Sequence, residues 1–248
     1  MALPKIAAPI YELTIPSTGE KIKYRPFLVK EEKVLLMAIE DGSVATMTKA
    51  MRDIISACTE GKVKLNDLAP FDLEYFFLQL RGKSIGDTVD LTFHKPASLE
   101  CGEGKKDCQQ TSLISINIDD IKLDSSEVKD SKISLTDTVG VKVNYPQVET
   151  IQKFTGTNED DEITTENVFK VITECIEYVW DEEEIFKAKD STKKELTDFV
   201  ESLSTTQFMK IKDFLDGMPK LSHTVTWKCP KCEKEAPILL EGIEAFFE

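Results

Sequence analysis

The stretch Pro70-Phe-Asp-Leu-Glu-Tyr-Phe-Phe-Leu-Gln-Leu80 carries apolar side chains on nearly every side of a helical wheel. The proline at its start suits a first helical turn, where no backbone amide is needed, and Gly82 supplies a stop signal. A helix that is apolar all round is normally buried inside a protein. The segment therefore predicts a central helix around which the other elements pack.

The segments before this helix predict a β-hairpin followed by a further helix. Residues 11–15 and 21–25 alternate apolar and polar side chains on either side of a turn at 16–19 that contains proline and glycine. This alternation around such a turn is typical of a hairpin. Ser43 can cap a helix whose apolar residues recur every three or four positions as far as Cys58, so we expect this cysteine in the core.

Beyond the central helix the apolar period changes to two, which predicts strands. The strand-like stretches lie at 89–93, 113–118, 133–143, 222–228 and 236–240. Successive strands of this kind, separated by polar turns, favour antiparallel pairing.

The stretch 146–220 has a helical period instead. An apolar stripe over Val168–Val179 predicts one continuous helix with Cys175 in the core. Thr192–Glu195 and Ser204–Gln207 are capping-box patterns, in which a hydroxyl and an acid or amide side chain satisfy free backbone amides. They predict two short helices that form a helical hairpin.

Together these patterns predict the α+β class, with an antiparallel β-sheet core, an N-terminal hairpin and helices. Residues 1–145 are expected to form the core, and 146–220 a helical insertion. Residues 221–248 are expected to return to the core as strands.

The composition limits the classes of function. The chain has 248 residues, and its 45 acidic against 31 basic residues give a formal net charge of −14. Such a charge opposes binding to the phosphates of nucleic acid or to anionic lipid. No apolar run approaches the roughly 20 residues of a spanning helix. The start of the sequence has no apolar stretch of signal-peptide length, so we expect a reducing compartment in which cysteines are thiols or metal ligands.

Two cysteine pairs stand in polar turns between strand-like stretches, Cys101 with Cys108 and Cys229 with Cys232. Four thiolates suit a closed, tetrahedral structural Zn²⁺ site and leave no open position for catalysis. Closing the long loop between the pairs costs about 4 kcal/mol, less than the roughly 10 to 16 kcal/mol of structural zinc binding. The sequence therefore predicts a discontinuous, zinc-ribbon-like clamp. The alternative is four reduced cysteines that merely lie near loops, since the gap in the first pair is wider than usual.

Motifs for catalysis are missing from the sequence. It contains no Gly-rich phosphate loop, nucleophile elbow or His-Glu-x-x-His pattern. His94 and His223 precede the cysteine pairs, but isolated histidines more often pack or face solvent, so neither is assigned as a ligand. The residues around the cysteines carry five lysines against four acids, which offers a phosphate backbone little. We therefore predict a protein that is not an enzyme.

A resemblance to a known family is carried by four stretches, at residues 16–40, 71–87, 218–221 and 240–247. In order and spacing they are similar to the baseplate hub subunit family of T4-like contractile-tailed bacteriophages. The resemblance implies assembly work with other hub proteins and a tape-measure protein as partners, and it carries over no catalytic residues. It implies assembly in the host cytoplasm and a place in the tail baseplate of the virion.

Two roles stay open within this resemblance: a subunit retained in the hub, and an assembly factor that leaves once the hub has formed. A zinc-ribbon adaptor of transcription or nucleic-acid processing is the alternative from another class. The Cys-Pro-Lys-Cys turn supports it, whereas the net charge and the N-terminal resemblance oppose it.

Two regions are candidates for contact with partner proteins. The first is the apolar C-terminus with Ile243, Phe246 and Phe247, which we expect to dock on the protein's own core. The second is the helical hairpin 191–217, whose acidic residues would suit a basic or amphipathic helix. These acidic residues are Glu195, Asp198, Glu201 and Asp213.

Overall fold

The computed structural model describes residues 6–94, 111–123, 131–155, 164–229 and 233–246. Its helices are α1 (Val29–Asp41), α2 (Val44–Cys58), α3 (Pro70–Ser84), α4 (Val148–Thr155), α5 (Thr165–Cys175), α6 (Lys193–Ser202) and α7 (Thr205–Asp216). Its strands are β1 (Tyr11–Thr14), β2 (Lys21–Tyr24), β3 (Thr88–His94), β4 (Thr111–Asn117), β5 (Lys122–Leu123), β6 (Lys132–Ser134), β7 (Gly140–Val143), β8 (Ile176–Trp180), β9 (Ile185–Lys187), β10 (Leu221–Lys228) and β11 (Glu235–Glu241).

The first hydrophobic core is built around α3, whose Phe76, Phe77 and Leu78 are fully buried. Helix α2 packs against both α3 and α1. The β1–β2 hairpin adds Tyr24, which meets the ring of Phe76 edge-on at 5.4 Å between centroids. The β3–β4 hairpin and the antiparallel sheet β11-β10-β5 complete this core. The uniformly apolar stretch is thus the central helix, as predicted.

The second hydrophobic core lies under the antiparallel sheet β6-β7-β8-β9 and is closed by α5, α6 and α7. Gly140 of β7 pairs with Trp180 of β8. A Cβ atom at position 140 would lie 2.0 Å from Cζ2 of Trp180, so only glycine fits beneath this indole. Both capping boxes form: Thr192 accepts from the Glu195 amide at the start of α6, and Ser204 begins α7 in the same way.

The two cores meet at an aromatic contact. Tyr145 stacks on Phe214 of α7, with ring centroids 4.9 Å apart, and meets Phe71 of α3 edge-on at 5.2 Å. Elsewhere Arg52 of α2 donates a hydrogen bond to Glu149 of α4 at 2.9 Å. Stacked and edge-on rings of this kind contribute to packing beyond the area they bury.

The class is α+β with antiparallel sheets, as the periodicity predicts. Two details differ from the expectation. The stripe Val168–Val179 is not one helix, because the chain leaves the helix after Cys175 and pairs as β8 with β7. Strands β6 and β7 fall inside the expected core 1–145, yet they pack in the second core because their apolar faces meet α5 and α7.

Candidate protein-binding surfaces

Clustered metal-ligand side chains and membrane-spanning helices were sought in the part of the chain that the structure describes. In these ranges no three His, Cys, Asp or Glu side chains cluster to hold a metal ion, and no helix is long and apolar enough to cross a membrane. Cys58 and Cys175 are buried in the core, as predicted. Burial raises the pKa of Cys58 to about 11 and that of Cys175 to about 12. Both thiols therefore stay protonated at neutral pH and serve as core side chains.

Cys229 is the one predicted zinc ligand within the described residues, and it is fully buried just after β10. Its amide donates to the carbonyl of Lys234 at 2.9 Å, which closes the turn between β10 and β11. Cys101, Cys108 and Cys232 lie outside the described residues. The structure therefore shows no four-cysteine clamp, and the zinc site stays a prediction.

The ends of two hairpins meet beside Cys229. Phe93 of β3 and Ile114 of β4 pack against the cluster of Trp227, Cys229 and Ala236. The β3–β4 pairing reaches the last residue of β3, from which the sequence continues into the first cysteine pair. The β10–β11 pairing likewise reaches the last residue of β10, just before the second pair. The β3–β4 and β10–β11 pairs are thus neighbours at the ends from which the chain continues toward the two cysteine pairs.

A cavity of about 540 Å³ opens at the junction of the two cores. Its lining includes Phe71 and Tyr75 of α3 together with Leu123, Tyr145 and Pro219. The lining is mostly aromatic and aliphatic with a few polar side chains, a composition that is usual in concave binding sites.

Ser17, which lines this cavity, is hydrogen-bonded to a buried carboxylate. Asp72 is fully buried and accepts hydrogen bonds from the amide of Ser17 at 3.0 Å, the hydroxyl of Ser17 at 2.5 Å and the amide of Ala69 at 3.2 Å. Burial raises the pKa of Asp72, and these hydrogen bonds act in the opposite direction. The carboxylate fastens the β1–β2 turn to the start of α3, so its role is structural.

A second cavity of about 470 Å³ lies beside the second core and is lined by Lys153, Lys170, Lys193 and Glu174. Glu174 pairs with Lys193 at 2.8 Å and with Lys153 at 3.6 Å. These partners lower the pKa of the Glu174 carboxyl, the hydrogen bond from Lys193 most of all, while its partial burial acts the other way. The positive charges of these lysines are thus largely offset by carboxylates of the same chain.

Helix α1 presents an apolar surface to solvent. Leu35 and Ala38 face the core, whereas Val29, Leu36 and Met37 are 80%, 54% and 59% exposed. A surface helix normally places polar residues on its outer side, so apolar residues on both sides are unusual. Sequence periodicity alone missed this helix, because its apolar residues do not form a single stripe.

A buried ion pair sets the orientation of α1. Glu31, in the first turn of the helix, is buried and accepts from the Arg25 guanidinium at 2.9 Å. Its other oxygen accepts from the amide of Leu28 at 2.8 Å, which caps the helix start. Burial alone would raise the pKa of Glu31, but the hydrogen bonds from Arg25 and the backbone outweigh it and lower the pKa.

The two regions that the sequence suggested for partner contact, the C-terminus and the helices α6 and α7, differ in burial. Ile243 and Phe246 are fully buried in the first core, so the expectation that the C-terminus docks on its own protein is confirmed for them. Phe247 lies outside the described residues. On helices α6 and α7 the four acidic residues are exposed. Glu195, however, caps α6, and lysines of the same helices offset much of the negative charge.

The chain is similar to known proteins of the bacteriophage baseplate. A sequence model of the family described as T4 bacteriophage base plate protein matches residues 8–248. The baseplate hub assembly protein gp26 of Enterobacteria phage T4 is 26% identical over 238 residues, which cover 96% of this chain and 98% of the relative. No solved structure matches the chain.

Proposed function

The chain belongs to the T4 bacteriophage base plate protein family, and from this premise we propose that it helps to assemble the baseplate hub of a contractile phage tail. The observation that carries the proposal is the extent of the match. Nearly the whole chain aligns with nearly the whole hub assembly protein of phage T4, so the likeness involves both hydrophobic cores rather than one shared module.

The work of such a protein is binding to other proteins, and its surface supports this role. The mostly apolar cavity between the cores offers a concave site for a partner's side chains. The partners are other baseplate proteins, with hub subunits and the tape-measure protein as the expected ones. Binding takes place in the host cytoplasm while the tail is built. A retained subunit would end in the tail baseplate of the virion, whereas an assembly factor would leave once the hub has formed.

Non-enzymatic work fits the chemistry of the described residues. The buried Asp72 is engaged by a backbone turn, and the buried thiols of Cys58 and Cys175 are held protonated. These groups therefore stabilise the fold. The alternative role of a nucleic-acid adaptor is opposed by the formal net charge of −14, because negative charge repels a phosphate backbone.

A structural zinc ion is a further part of the proposal. Cys101, Cys108, Cys229 and Cys232 would hold it as four thiolates, which is a closed donor set typical of structural sites. What supports it is the contact between the described ends of the two strand pairs that carry the cysteine turns. Zinc there would join the middle of the chain to its C-terminal strands.

Metal analysis of purified protein from zinc-replete medium tests this site. We expect about one equivalent of zinc per chain, released by Cys229→Ser. Cys58→Ser serves as the matched control, because Cys58 is buried in a helix and should leave the zinc content unchanged. Less than half an equivalent in the wild type would contradict the proposal.

Co-expression tests the assembly function. The tagged chain is produced together with each hub protein and the tape-measure protein of the same phage, and complexes are isolated by affinity and size-exclusion chromatography. We expect a complex of fixed stoichiometry with at least one of them. Absence of a complex with all of them would refute the proposal. Mass spectrometry of purified virions then separates a retained subunit from an assembly factor that has left.

A further inference from the structure

The outer side of α1 has a pattern of charge as well as of apolarity. Val29, Lys33, Leu36, Met37 and Glu40 form this side, and they are called the α1 outer face below. Residues three, four and seven positions apart share one side of a helix, so Lys33, Leu36, Met37 and Glu40 are neighbours along it. All five side chains are exposed.

The fold keeps this face outward. Turning α1 to bury Leu36 would carry Glu31 into solvent and separate it from Arg25, whose guanidinium also donates to the carbonyls of Pro26 and Ala57. Leaving a buried guanidinium without its carboxylate is costly. Exposed apolar side chains grouped in one patch mark a protein-binding site more often than isolated ones do.

The charges on the α1 outer face are arranged symmetrically. Lys33 and Glu40 are each three residues from the central pair, Leu36 and Met37, and they carry opposite charges. Within the described ranges neither of the two charged side chains has an ion pair. If a second identical helix lies antiparallel with its centre on the same point, Lys33 of each copy meets Glu40 of the other. Leu36 and Met37 of both copies then lie together at the centre of the contact, so the face is complementary to itself.

We propose that the α1 outer face is a two-fold contact on which a second copy of this chain packs with its α1 antiparallel. Two-fold contacts use the same patch on both subunits, and this face meets that requirement in both charge and apolarity. A helix of 13 residues is about 20 Å long, so the contact is small and the dimer should be weak and concentration-dependent. This inference goes beyond the proposed function and does not depend on it.

Charge exchange gives the first test. Sedimentation velocity is measured over a range of protein concentrations for the wild type, Lys33→Glu, Glu40→Lys and the double variant that carries both changes. In a two-fold dimer each single change creates two like-charge contacts, so we expect the dissociation constant to rise about tenfold or more in each. The double variant restores both opposite-charge contacts and should dimerise like the wild type.

The matched control is Lys189→Glu, the same charge change at an exposed residue of the second core, and it should leave the dissociation constant unchanged. A wild type that stays monomeric up to about 1 mM, the upper end of the range of dissociation constants for specific contacts, would overturn the proposal. So would single variants that dimerise as well as the wild type. A dimer that resists both single changes uses another surface.

Cysteine cross-linking gives a second test that reports the register. Met37 lies next to the two-fold axis, so Met37→Cys should form an intermolecular disulfide under mild oxidation. Val29 is seven to eight residues from the centre, and at 1.5 Å per residue its two copies would be roughly 22 Å apart. Disulfides need Cα atoms within about 7 Å, so Val29→Cys should cross-link no more than the wild type does. Equal cross-linking of both variants would overturn the antiparallel register.

Discussion

Replacement of Glu31 by alanine should destabilise the protein strongly, although the residue lies at the edge of the first core. The Glu31 side chain is only 7% exposed, and it joins Arg25, the start of α1 and Lys30. Removing it breaks the ion pair at 2.9 Å and the hydrogen bond that caps the helix at 2.8 Å. It also leaves the guanidinium of Arg25 largely buried without its carboxylate.

The magnitude follows from these losses. Breaking one partner of a buried ion pair costs about 3 to 5 kcal/mol, and the loss of a helix cap costs about 1 kcal/mol. Arg25 keeps its hydrogen bonds to Pro26 and Ala57, and its side chain is 19% exposed, so the first cost is reduced. We expect the free energy of unfolding to fall by about 2 to 4 kcal/mol in total.

Urea unfolding followed by far-ultraviolet circular dichroism at pH 7 measures this change. Glu32→Ala is the control, because Glu32 is in the same turn but has no ion pair among the described residues, and it should cost at most about 0.5 kcal/mol. A loss below about 1 kcal/mol for Glu31→Ala would refute the role given to the ion pair.

The same ion pair predicts a pH dependence. The folded-state pKa of Glu31 is lowered from its ordinary value of 4.5, so the ionised carboxyl stabilises the fold above that pH. This contribution is lost as the pH falls through the lowered value. The stability difference between the wild type and Glu31→Gln should therefore be largest near neutrality and shrink below about pH 4. A difference that is constant from neutral pH to pH 3 would contradict the assignment.

Two further substitutions test the two cores. Gly140→Ala should lower the free energy of unfolding by at least about 1 to 3 kcal/mol, because its Cβ would overlap the Trp180 indole, and adding Trp180→Leu should recover part of this loss in urea unfolding. Phe246→Ala should cost about 3 to 5 kcal/mol, since the ring is fully buried near the C-terminus. Leu239→Ala, at a side chain that is 58% exposed, should change stability by less than about 0.5 kcal/mol in the same assay. Equal effects of the last two substitutions would show that the C-terminal segment is not docked on the core.

The elements that could be predicted are those whose sequence signals lie within their own residues. The apolar stretch at 70–80 specifies a buried helix wherever it lies, because every one of its sides needs cover. The two capping boxes begin α6 and α7 through hydrogen bonds that need no other part of the chain. The N-terminal hairpin and the β10–β11 pair follow from their alternation and turns.

The elements that depend on contacts outside their own residues were not predictable in this way. The apolar stripe that ends in Ile176 and Val179 suits a helix as well as a strand, and pairing with β7 decides in favour of the strand. Helix α1 follows Leu28, which provides no capping side chain, and it is held instead by the ion pair between the buried Glu31 and Arg25, which precedes the helix. Its outer apolar residues become recognisable as a surface only when the buried side of the helix is known.

The central claim, a role in assembling the baseplate hub, is tested most directly in the phage itself. A nonsense mutation is introduced into the gene for this chain, and baseplates and tails in lysates are counted by negative-stain electron microscopy, with the wild-type gene supplied from a plasmid as the control. We predict that the mutant lysate lacks complete baseplates and tails and that the plasmid restores them. Normal numbers of complete baseplates in the mutant lysate would contradict the account.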